Sequence, residues 1–293
     1  MSRGSGYGYA LAAYTFWGVA PVYFVWVNFA APLEILAHRI AWSVPLLLLL
    51  VWLGRHVKTI FSLSPRVLFV LFCCAALLSV NWLTFIYGIH TDRMAETSLG
   101  YFINPLISIA LGAVILSEKL RGWQWLAVGL TAVGIVYEFV TVGSLPWIAV
   151  CLALSFGLYG LLRKQIAVPA PVGLLLETLF LAPFAVLYLI FLEVDRSQGE
   201  LGALVLGGVV TVLPLLWFGA AAIRLPLIIL GLFQYLAPSI TLVLAILVYN
   251  EVLTEARWFS FIMVWVGLVV FTVEGLIRRR QDMRAEPLRE RST

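Results

Sequence analysis

Long apolar runs separated by short polar stretches dominate this chain. A membrane-spanning helix needs about 20 mostly apolar residues, and ten segments approximately meet that requirement. In chain order, these spans 1 to 10 are 7–27, 33–53, 67–88, 95–116, 123–140, 147–162, 172–192, 201–222, 227–248 and 257–277. Because the connections are short, consecutive spans are expected to be antiparallel neighbours.

Composition supports a membrane protein. Of the 293 residues, 62% are hydrophobic and 12% are charged, whereas soluble domains contain about 25% charged residues. The net charge of +4 is dispersed among apolar runs, so it does not indicate nucleic-acid binding. The first run is rich in Tyr and Trp and long enough to span, which favours an uncleaved first span over a signal peptide.

The distribution of Lys and Arg predicts the orientation. If the N-terminus is cytoplasmic, the inside segments hold fifteen of these residues and the outside segments hold three, with Arg39 inside a span. Positive charge accumulates on the cytoplasmic side, so we expect both termini to be cytoplasmic. Residues 278–293 read as a basic cytoplasmic tail, and their polarity predicts disorder.

An internal repeat relates the two halves of the chain. Segment Tyr101–Glu118 aligns with Gln234–Glu251 at an offset of 133, matching Pro105 with Pro238. Each copy has five spans, an odd number, so the second copy enters the membrane inverted. We expect an all-α fold of ten transmembrane helices in two inverted five-helix repeats, 1–143 and 144–277. This architecture is typical of transporters with a central binding site, although duplication without transport remains an alternative.

Small residues four apart predict close helix packing in spans 4 and 9. The members of this seam are Gly100, Asn104, Ser108, Gly112, Ala237, Thr241 and Ala245. Small residues at this spacing let membrane helices approach closely. The seam is either the contact about which the halves rock or packing alone, and Pro21, Pro105 and Pro238 are candidate gating positions within the spans.

Span 2 carries the densest charge inside any span, with Glu34, His38 and Arg39. Glu34 can reach His38 one turn later, whereas Arg39 lies on another face. A buried arginine is costly and usually faces a partner or a wet cavity. Arg39 either extends to a structural acid such as Glu138 or lines the outer vestibule and offers a bidentate donor to a carboxylate.

Span 7 contains Glu177, which matches Glu34 if the repeat offset drifts to about 143. The two acids would then lie near opposite membrane faces. Each is a candidate for gating or for coupling transport to an ion. The alternative is that each acid satisfies the positive end of a helix.

Aromatic and amide side chains supply the other candidates for a substrate cavity. Together with His38 and Arg39 they are Tyr14, Trp17, Asn81, Trp82, Tyr101, Asn104, Tyr159, Gln234 and Tyr235. Mid-span amides are costly against lipid and should face inward. Aromatic walls with a few polar groups suit an amphipathic or planar solute, although many of these rings could serve packing or the interfacial belt.

No catalytic motif is present in the sequence: it lacks a phosphate loop, a zinc-protease motif and a nucleophile elbow. We therefore expect no enzyme activity, no cofactor, no metal and no nucleotide. The remaining function is a secondary carrier or facilitator of a small molecule, working in the lipid bilayer.

Several stretches resemble the RarD family in the EamA branch of the drug/metabolite transporter superfamily. They include LEILAHRIAW, NWLTFIYGIH, SLGYFINPLISIALG with ILSEKL, and SFGLYGLLRK. The resemblance covers residues 5–280 approximately and implies ten helices, a central cavity and export across the bacterial inner membrane. Similar YddG proteins handle amino acids. Four-helix relatives in the superfamily exchange protons at a glutamate in their first helix, but spans 1 and 6 here contain no acid.

These observations favour an exporter of amino acids that works by alternating access. Since one chain supplies both halves of the pathway, we expect a functional monomer. Two alternatives stay open: a multidrug exporter with an adaptable aromatic cavity, and a membrane scaffold or enzyme that transports nothing.

Overall fold

The structure is a computed structural model that describes residues 3–91, 94–142, 147–166, 168–248 and 254–290. Within these residues every regular element is an α-helix. The helices are α1 (Arg3–Trp26), α2 (Pro32–Leu53), α3 (Val57–Phe61), α4 (Pro65–His90), α5 (Met94–Val114), α6 (Gly122–Val142), α7 (Trp147–Gln165), α8 (Ala170–Ile190), α9 (Gln198–Ala222), α10 (Leu227–Phe233), α11 (Leu236–Leu247) and α12 (Glu255–Glu290). A helix satisfies its own backbone polar groups, which hydrocarbon cannot do.

Every predicted span coincides with a helix, and span 9 is divided between α10 and α11. Seven segments of the described residues are long and apolar enough to cross a membrane. Two shorter apolar stretches, Gly100–Val114 and Trp258–Val270, lie in α5 and α12, and the 24-residue α1 covers span 1. The expected all-α membrane fold is therefore confirmed.

Helix packing follows the pattern of two inverted copies. In the repeat, helices α1, α2, α4, α5 and α6 correspond to α7, α8, α9, α10 with α11, and α12. The contact between α5 and α7 therefore has its counterpart in the contact of α1 with α10 and α11. In the same way, the contact between α2 and α9 has its counterpart in the contact between α8 and α4. Three contacts map onto themselves and join the halves: α2–α8, α5–α10 and α6–α12. The domain boundary stays a prediction, because residues 143–146 lie outside the described part of the chain.

Span 9 is broken at Gln234 and Tyr235, between α10 and α11. Pro238 lies four residues after Gln234, so it cannot donate to the Gln234 carbonyl and its ring crowds that group. By contrast, α1 and α5 continue through Pro21 and Pro105. Discontinuous helices of this kind line the binding sites of secondary transporters.

The small-residue faces do not form one continuous seam. A Cβ at Gly100 would crowd α7, and one at Gly112 would crowd the start of α10. Thr241 of α11 donates a hydrogen bond to the Gly18 carbonyl of α1 at 3.1 Å. A Cβ at Gly18 would crowd the Ala237 carbonyl, so α1 and α11 are closely packed here. Spans 4 and 9 therefore meet where α5 packs against α10, whereas the small-residue face of α11 packs against α1. The Ala245 side chain lies outside the described residues.

The expectation of a disordered tail is corrected as well. Helix α12 continues through the basic segment to Glu290. Residues 278–286 contain Arg, Gln, Asp, Met, Ala and Glu but no Gly or Pro, and most of these are good helix formers. Extending an existing helix needs no new nucleus, so the membrane span carries the tail with it.

Candidate functional site

Arg39 lies about two turns after the start of α2, at the contact of this helix with α9. Its Nε donates to Thr211 Oγ1 at 2.8 Å. The guanidinium carbon lies 5.1 Å from the centre of the Phe24 ring and 5.6 Å from that of Trp82. Aromatic faces attract a cation without neutralising it. The side chain is therefore oriented by one hydroxyl and two rings, at the interface between the halves.

No carboxylate of the described residues lies within ion-pair distance of Arg39. In particular, Arg39 does not reach Glu138, so that alternative is corrected: Glu138 belongs to α6, whose main partner is α12. The side chain of Arg39 is partly buried, and Nε is its one nitrogen with a hydrogen-bond partner in this part of the chain. The hydroxyls of Tyr23 and the half-exposed Tyr101 lie within electrostatic range. Arg39 is thus a cation that can still accept an anion.

A small cavity connects the surroundings of Arg39 with Glu177. Its volume open to water is about 10 Å³, enough for about one water molecule. The polar lining comes from Ser43, Glu177, Thr178 and Thr211, and Trp82 closes one side. Thr211 and Trp82 also contact Arg39. The walls belong to α2 and α4 of the first half and α8 and α9 of the second.

Glu177 forms a buried ion pair with Arg163, and both side chains are 1% exposed. Arg163 NH1 lies 3.4 Å from Glu177 Oε1, and the Tyr159 hydroxyl donates to Oε2 at 3.3 Å. Gly173 and Gly219 make room for the guanidinium, since a Cβ at Gly173 would overlap it and one at Gly219 would lie 3.2 Å from NH2. The sequence analysis did not identify Arg163 as a buried residue, because its position just after span 6 suggested only a cation in a cytoplasmic loop.

Glu34 has a different partner from the one expected. Both of its oxygens accept from Arg196, at 2.9 Å from Nε and 2.7 Å from NH2. This hydrogen-bonded pair raises the pKa of Arg196 above its ordinary value. His38 instead accepts from Trp42 Nε1 at 3.3 Å. Glu34 therefore ties the start of α2 to the α8–α9 connection, across the two halves.

A second tie across the halves lies at the opposite end of the bundle, where α1 begins. Glu118, in the α5–α6 connection, accepts from the backbone nitrogens of Leu227 and Ile228 at 2.8 and 2.9 Å. Lys164 Nζ lies 3.6 Å from the same carboxylate. Helix α10 has Pro226 at its N-cap, without a side-chain hydrogen bond, so Glu118 replaces the missing cap. Its repetition as Glu251 in the sequence was the signal that could have identified it.

Three of the predicted cavity residues pack into an aromatic cluster. Tyr14 and Trp17 of α1 meet Phe156 and Tyr159 of α7 and Phe218 of α9. Tyr159 stacks on Phe218 at 5.7 Å between ring centres. Tyr14 and Tyr159 are 2% and 1% exposed. These rings fill the space between α1, α7 and α9 rather than line an open cavity.

The predicted amides divide into two groups. Asn81 donates to a carbonyl of α7 and to Ser155 Oγ, at 3.0 and 2.9 Å, so it joins α4 to α7. Gln234 lies at the helix break and accepts from Ser108 at 3.3 Å. Asn104, one turn before Ser108, is 8% exposed, and its Oδ1 has no hydrogen-bond partner in the described chain. Tyr235 donates to a carbonyl of α5 at 3.3 Å.

Comparison with known proteins identifies the family. Residues 4–139 match the EamA-like transporter family. An "Uncharacterized transporter" of Vibrio cholerae is 47% identical over 276 residues, 91% of each chain, and RarD of Escherichia coli is 42% identical over 94% of this chain and 96% of its own. A solved crystal structure has the same fold, with a TM-score of 0.72 at 18% identity over 93% of this chain and 98% of that one. This chain is a member of the RarD/EamA family of the drug/metabolite transporter superfamily, and hence a multi-pass membrane protein related to transporters.

Proposed function

We propose that this protein exports amino acids, including aromatic and other neutral ones, across the bacterial inner membrane by alternating access. The observation that carries the proposal is Arg39: a guanidinium inside the membrane, oriented by Thr211 and two aromatic rings, without a carboxylate partner among the described residues. Relatives of this chain carry the name transporter, which supports solute movement in general.

The chemistry of Arg39 favours a carboxylate ligand. A membrane-embedded cation is costly unless a partner or water compensates it, and a guanidinium binds a carboxylate through two parallel hydrogen bonds. The adjacent Phe24 and Trp82 rings offer an apolar surface to the rest of the solute. The same positive charge disfavours lipophilic cations, so it argues against a multidrug exporter of cationic compounds.

Two cross-half ties support alternating access. Glu34 with Arg196 closes one end of the bundle, and Glu118 with α10 and Lys164 closes the other. The charge distribution assigns the first end to the periplasm and the second to the cytoplasm. Each tie must break for its own end to open, and the aromatic cluster must separate on the cytoplasmic side. One chain contains every one of these parts, which supports a functional monomer.

Counterflow in proteoliposomes tests the proposal. The purified protein, loaded with unlabelled amino acids, should exchange a labelled amino acid, whereas a scaffold would move nothing. Arg39→Lys should reduce exchange by roughly tenfold or more, because an ammonium lacks the planar fork of a guanidinium. The matched control is Arg66→Lys, at an exposed position.

A comparison of ligands identifies the group that Arg39 binds. Wild-type protein should prefer L-phenylalanine to L-phenylalaninamide, which lacks the carboxylate, and Arg39→Met should lose that preference. If Arg39→Met transports L-phenylalanine and L-phenylalaninamide in the same ratio as the wild type, Arg39 does not bind the carboxylate. Exchange of lipophilic cations in place of amino acids would favour the multidrug alternative.

A further inference from the structure

We infer that the connection between α2 and α4 is a binding surface for anionic phospholipids of the cytoplasmic leaflet. Three exposed apolar side chains and three exposed cations form this surface, on the short helix α3 and at both borders of the connection. They are Trp52, Arg55, Val57, Lys58, Phe61 and Arg66, and we call them the α3 surface. The inference goes beyond solute transport, because it concerns the lipid that surrounds the protein.

The first observation is that α3 has an apolar face that no part of the described chain covers. Ile60 and, just beyond the helix, Leu63 pack against the main hydrophobic cluster of the bundle, so α3 is held against the helices. Val57 and Phe61 lie one turn apart and are 41% and 86% exposed. Exposed apolar patches mark sites of contact with proteins or membranes. Because α2 ends in the membrane boundary just before α3, this face is placed at the lipid interface.

The second observation is that the cations of the α3 surface have no protein partner. Arg55, Lys58 and Arg66 form no ion pair and no side-chain hydrogen bond within the described residues. The sequence contains no acidic residue from 35 to 91, so none is near in the chain. The distribution of Lys and Arg assigns this end of the bundle to the cytoplasm. The surface therefore presents three uncompensated positive charges beside apolar side chains.

Other cations at the same end of the bundle are paired within the protein. Lys164 Nζ lies 3.6 Å from Glu118. Arg121 donates a hydrogen bond to Glu274 at 2.9 Å. Positive charge at the cytoplasmic end is thus compensated at these two places, whereas at the α3 surface it is available to an anion from outside the chain.

The third observation is the backbone of Arg55. Its φ of 55° lies in the left-handed region, which is unfavourable for a residue with a Cβ. Here α2 ends with hydrogen bonds from His56 N to Val51 O and from Arg55 N to Trp52 O, at 2.9 and 3.0 Å. Glycine is the usual residue in the left-handed position after a helix. The chain instead places a guanidinium there, and such strain is typical of positions with a function.

The two halves of the surface match the two parts of a phospholipid. Lys and Arg beside an anionic leaflet are attracted to its phosphates, while Phe and aliphatic side chains insert at the boundary between headgroups and acyl chains. An acidic soluble protein would match the cations but would not explain apolar side chains at the edge of the membrane. A second copy of this chain would bring the same three cations, and like charges repel. The observations therefore favour lipid as the occupant.

Thermal unfolding in a neutral detergent tests the inference. Dioleoylphosphatidylglycerol should raise the unfolding midpoint at lower concentration than dioleoylphosphatidylcholine does. Each cation at an anionic surface contributes about fivefold to affinity, so Arg55→Gln/Lys58→Gln/Arg66→Gln should weaken the apparent affinity for phosphatidylglycerol roughly a hundredfold. The response to phosphatidylcholine should not change. Glycerol 1-phosphate carries the headgroup charge without acyl chains and should not raise the midpoint; an equal effect of this compound would overturn the assignment to lipid.

Three further variants separate a local surface from net charge and from folding. Arg284→Gln/Arg289→Gln/Arg291→Gln removes the same charge from the basic tail and should keep the affinity for phosphatidylglycerol, as should Arg66→Lys, which retains the charge. Arg55→Gly suits the left-handed backbone, so it should hold or raise the midpoint without lipid while weakening the affinity roughly fivefold. If the tail variant loses as much affinity as the triple variant of the α3 surface, the effect is one of net charge and the inference is overturned.

A fluorescent label tests the apolar half directly. Phe61→Cys is labelled with bimane in a chain whose native cysteines Cys73, Cys74 and Cys151 are replaced by alanine, and is reconstituted in phosphatidylglycerol-containing vesicles. Lipids with a nitroxide near the headgroup should quench the label. Quenching by aqueous iodide but not by these lipids would show that position 61 lies outside the bilayer and would contradict the inference. None of these measurements involves a solute, so their failure leaves the proposed export standing, and a failure of export leaves them unaffected.

Discussion

Arg39 and Arg163 both lie within helices of the membrane-spanning bundle, and their surroundings differ. Arg163 is 1% exposed and paired with Glu177. Arg39 is partly accessible, and its contacts are a threonine hydroxyl and two aromatic rings. The comparison separates two uses of a costly charge. A cation that the chain itself neutralises stabilises the fold, whereas one without a carboxylate in the described residues is available to a ligand.

Position in the bundle explains the difference. Arg163 and Glu177 belong to α7 and α8, both in the second half, so their contact can persist while the halves move. Arg39 lies where α2 of the first half meets α9 of the second. A permanent acid partner there would compete with an anionic ligand for the guanidinium.

Arg163→Met should have the largest effect on stability. It leaves Glu177 as a buried charge without its partner, and breaking a buried pair in this way costs about 3–5 kcal/mol. Thermal unfolding in detergent should show a much lower midpoint for Arg163→Met than for Arg39→Met, which removes no ion pair. Equal midpoints would end the distinction between the two arginines. The double variant Arg163→Met/Glu177→Gln should recover part of the loss.

Gly173→Ala tests how closely the chain encloses Arg163. The added Cβ would overlap the guanidinium, and such overpacking costs about 1–3 kcal/mol. Gly129→Ala is the matched control, because nothing lies within 4 Å of its Cβ position and alanine favours the helix. The unfolding midpoint should fall for the first variant and hold or rise for the second. Similar midpoints would show that Arg163 can move away.

Thr211→Val should weaken the orientation of Arg39 without removing its charge. The change deletes the acceptor of the 2.8 Å bond from Nε, and hydrogen bonds in membrane proteins contribute about 0.6 kcal/mol on average. Amino-acid affinity in counterflow should therefore fall roughly threefold, which corresponds to that energy. Thr141→Val removes a hydroxyl bonded within its own helix and should leave the affinity unchanged; a similar loss there would contradict the assignment.

Glu34→Gln should have the smallest effect on stability. It tests Arg196, whose surroundings are intermediate between those of Arg39 and Arg163. Arg196 is 16% exposed whereas its partner Glu34 is 2% exposed, so the pair reaches water through the arginine, and ion pairs with access to water contribute little to stability. The unfolding midpoint of wild-type protein should fall slightly with added salt, and that of Glu34→Gln should not, because salt screens an accessible pair. A shift as large as that of Arg163→Met would mean that Glu34 is a structural ion pair like Glu177.

Much of this architecture is readable from the sequence because lipid imposes strong constraints. Long apolar runs predict the spans, and the offset of 133 predicts the repeat that the helix contacts follow. Charged residues inside spans are rare enough that Arg39 and Glu177 stand out as candidates. The sequence determined which groups are costly in the membrane.

Tertiary structure decided how each of those groups is satisfied. Thr211 lies 172 residues from Arg39, and Arg196 lies 162 residues from Glu34, so no local pattern could pair them. The rings expected around a cavity pack against one another because α1, α7 and α9 converge there. Periodicity places a side chain on one face of a helix, but the neighbour of that face depends on how all the helices pack. The sequence therefore identified Arg39 and Glu177, and the packing showed that Glu177 is paired with Arg163 whereas Arg39 has no carboxylate partner in the described residues.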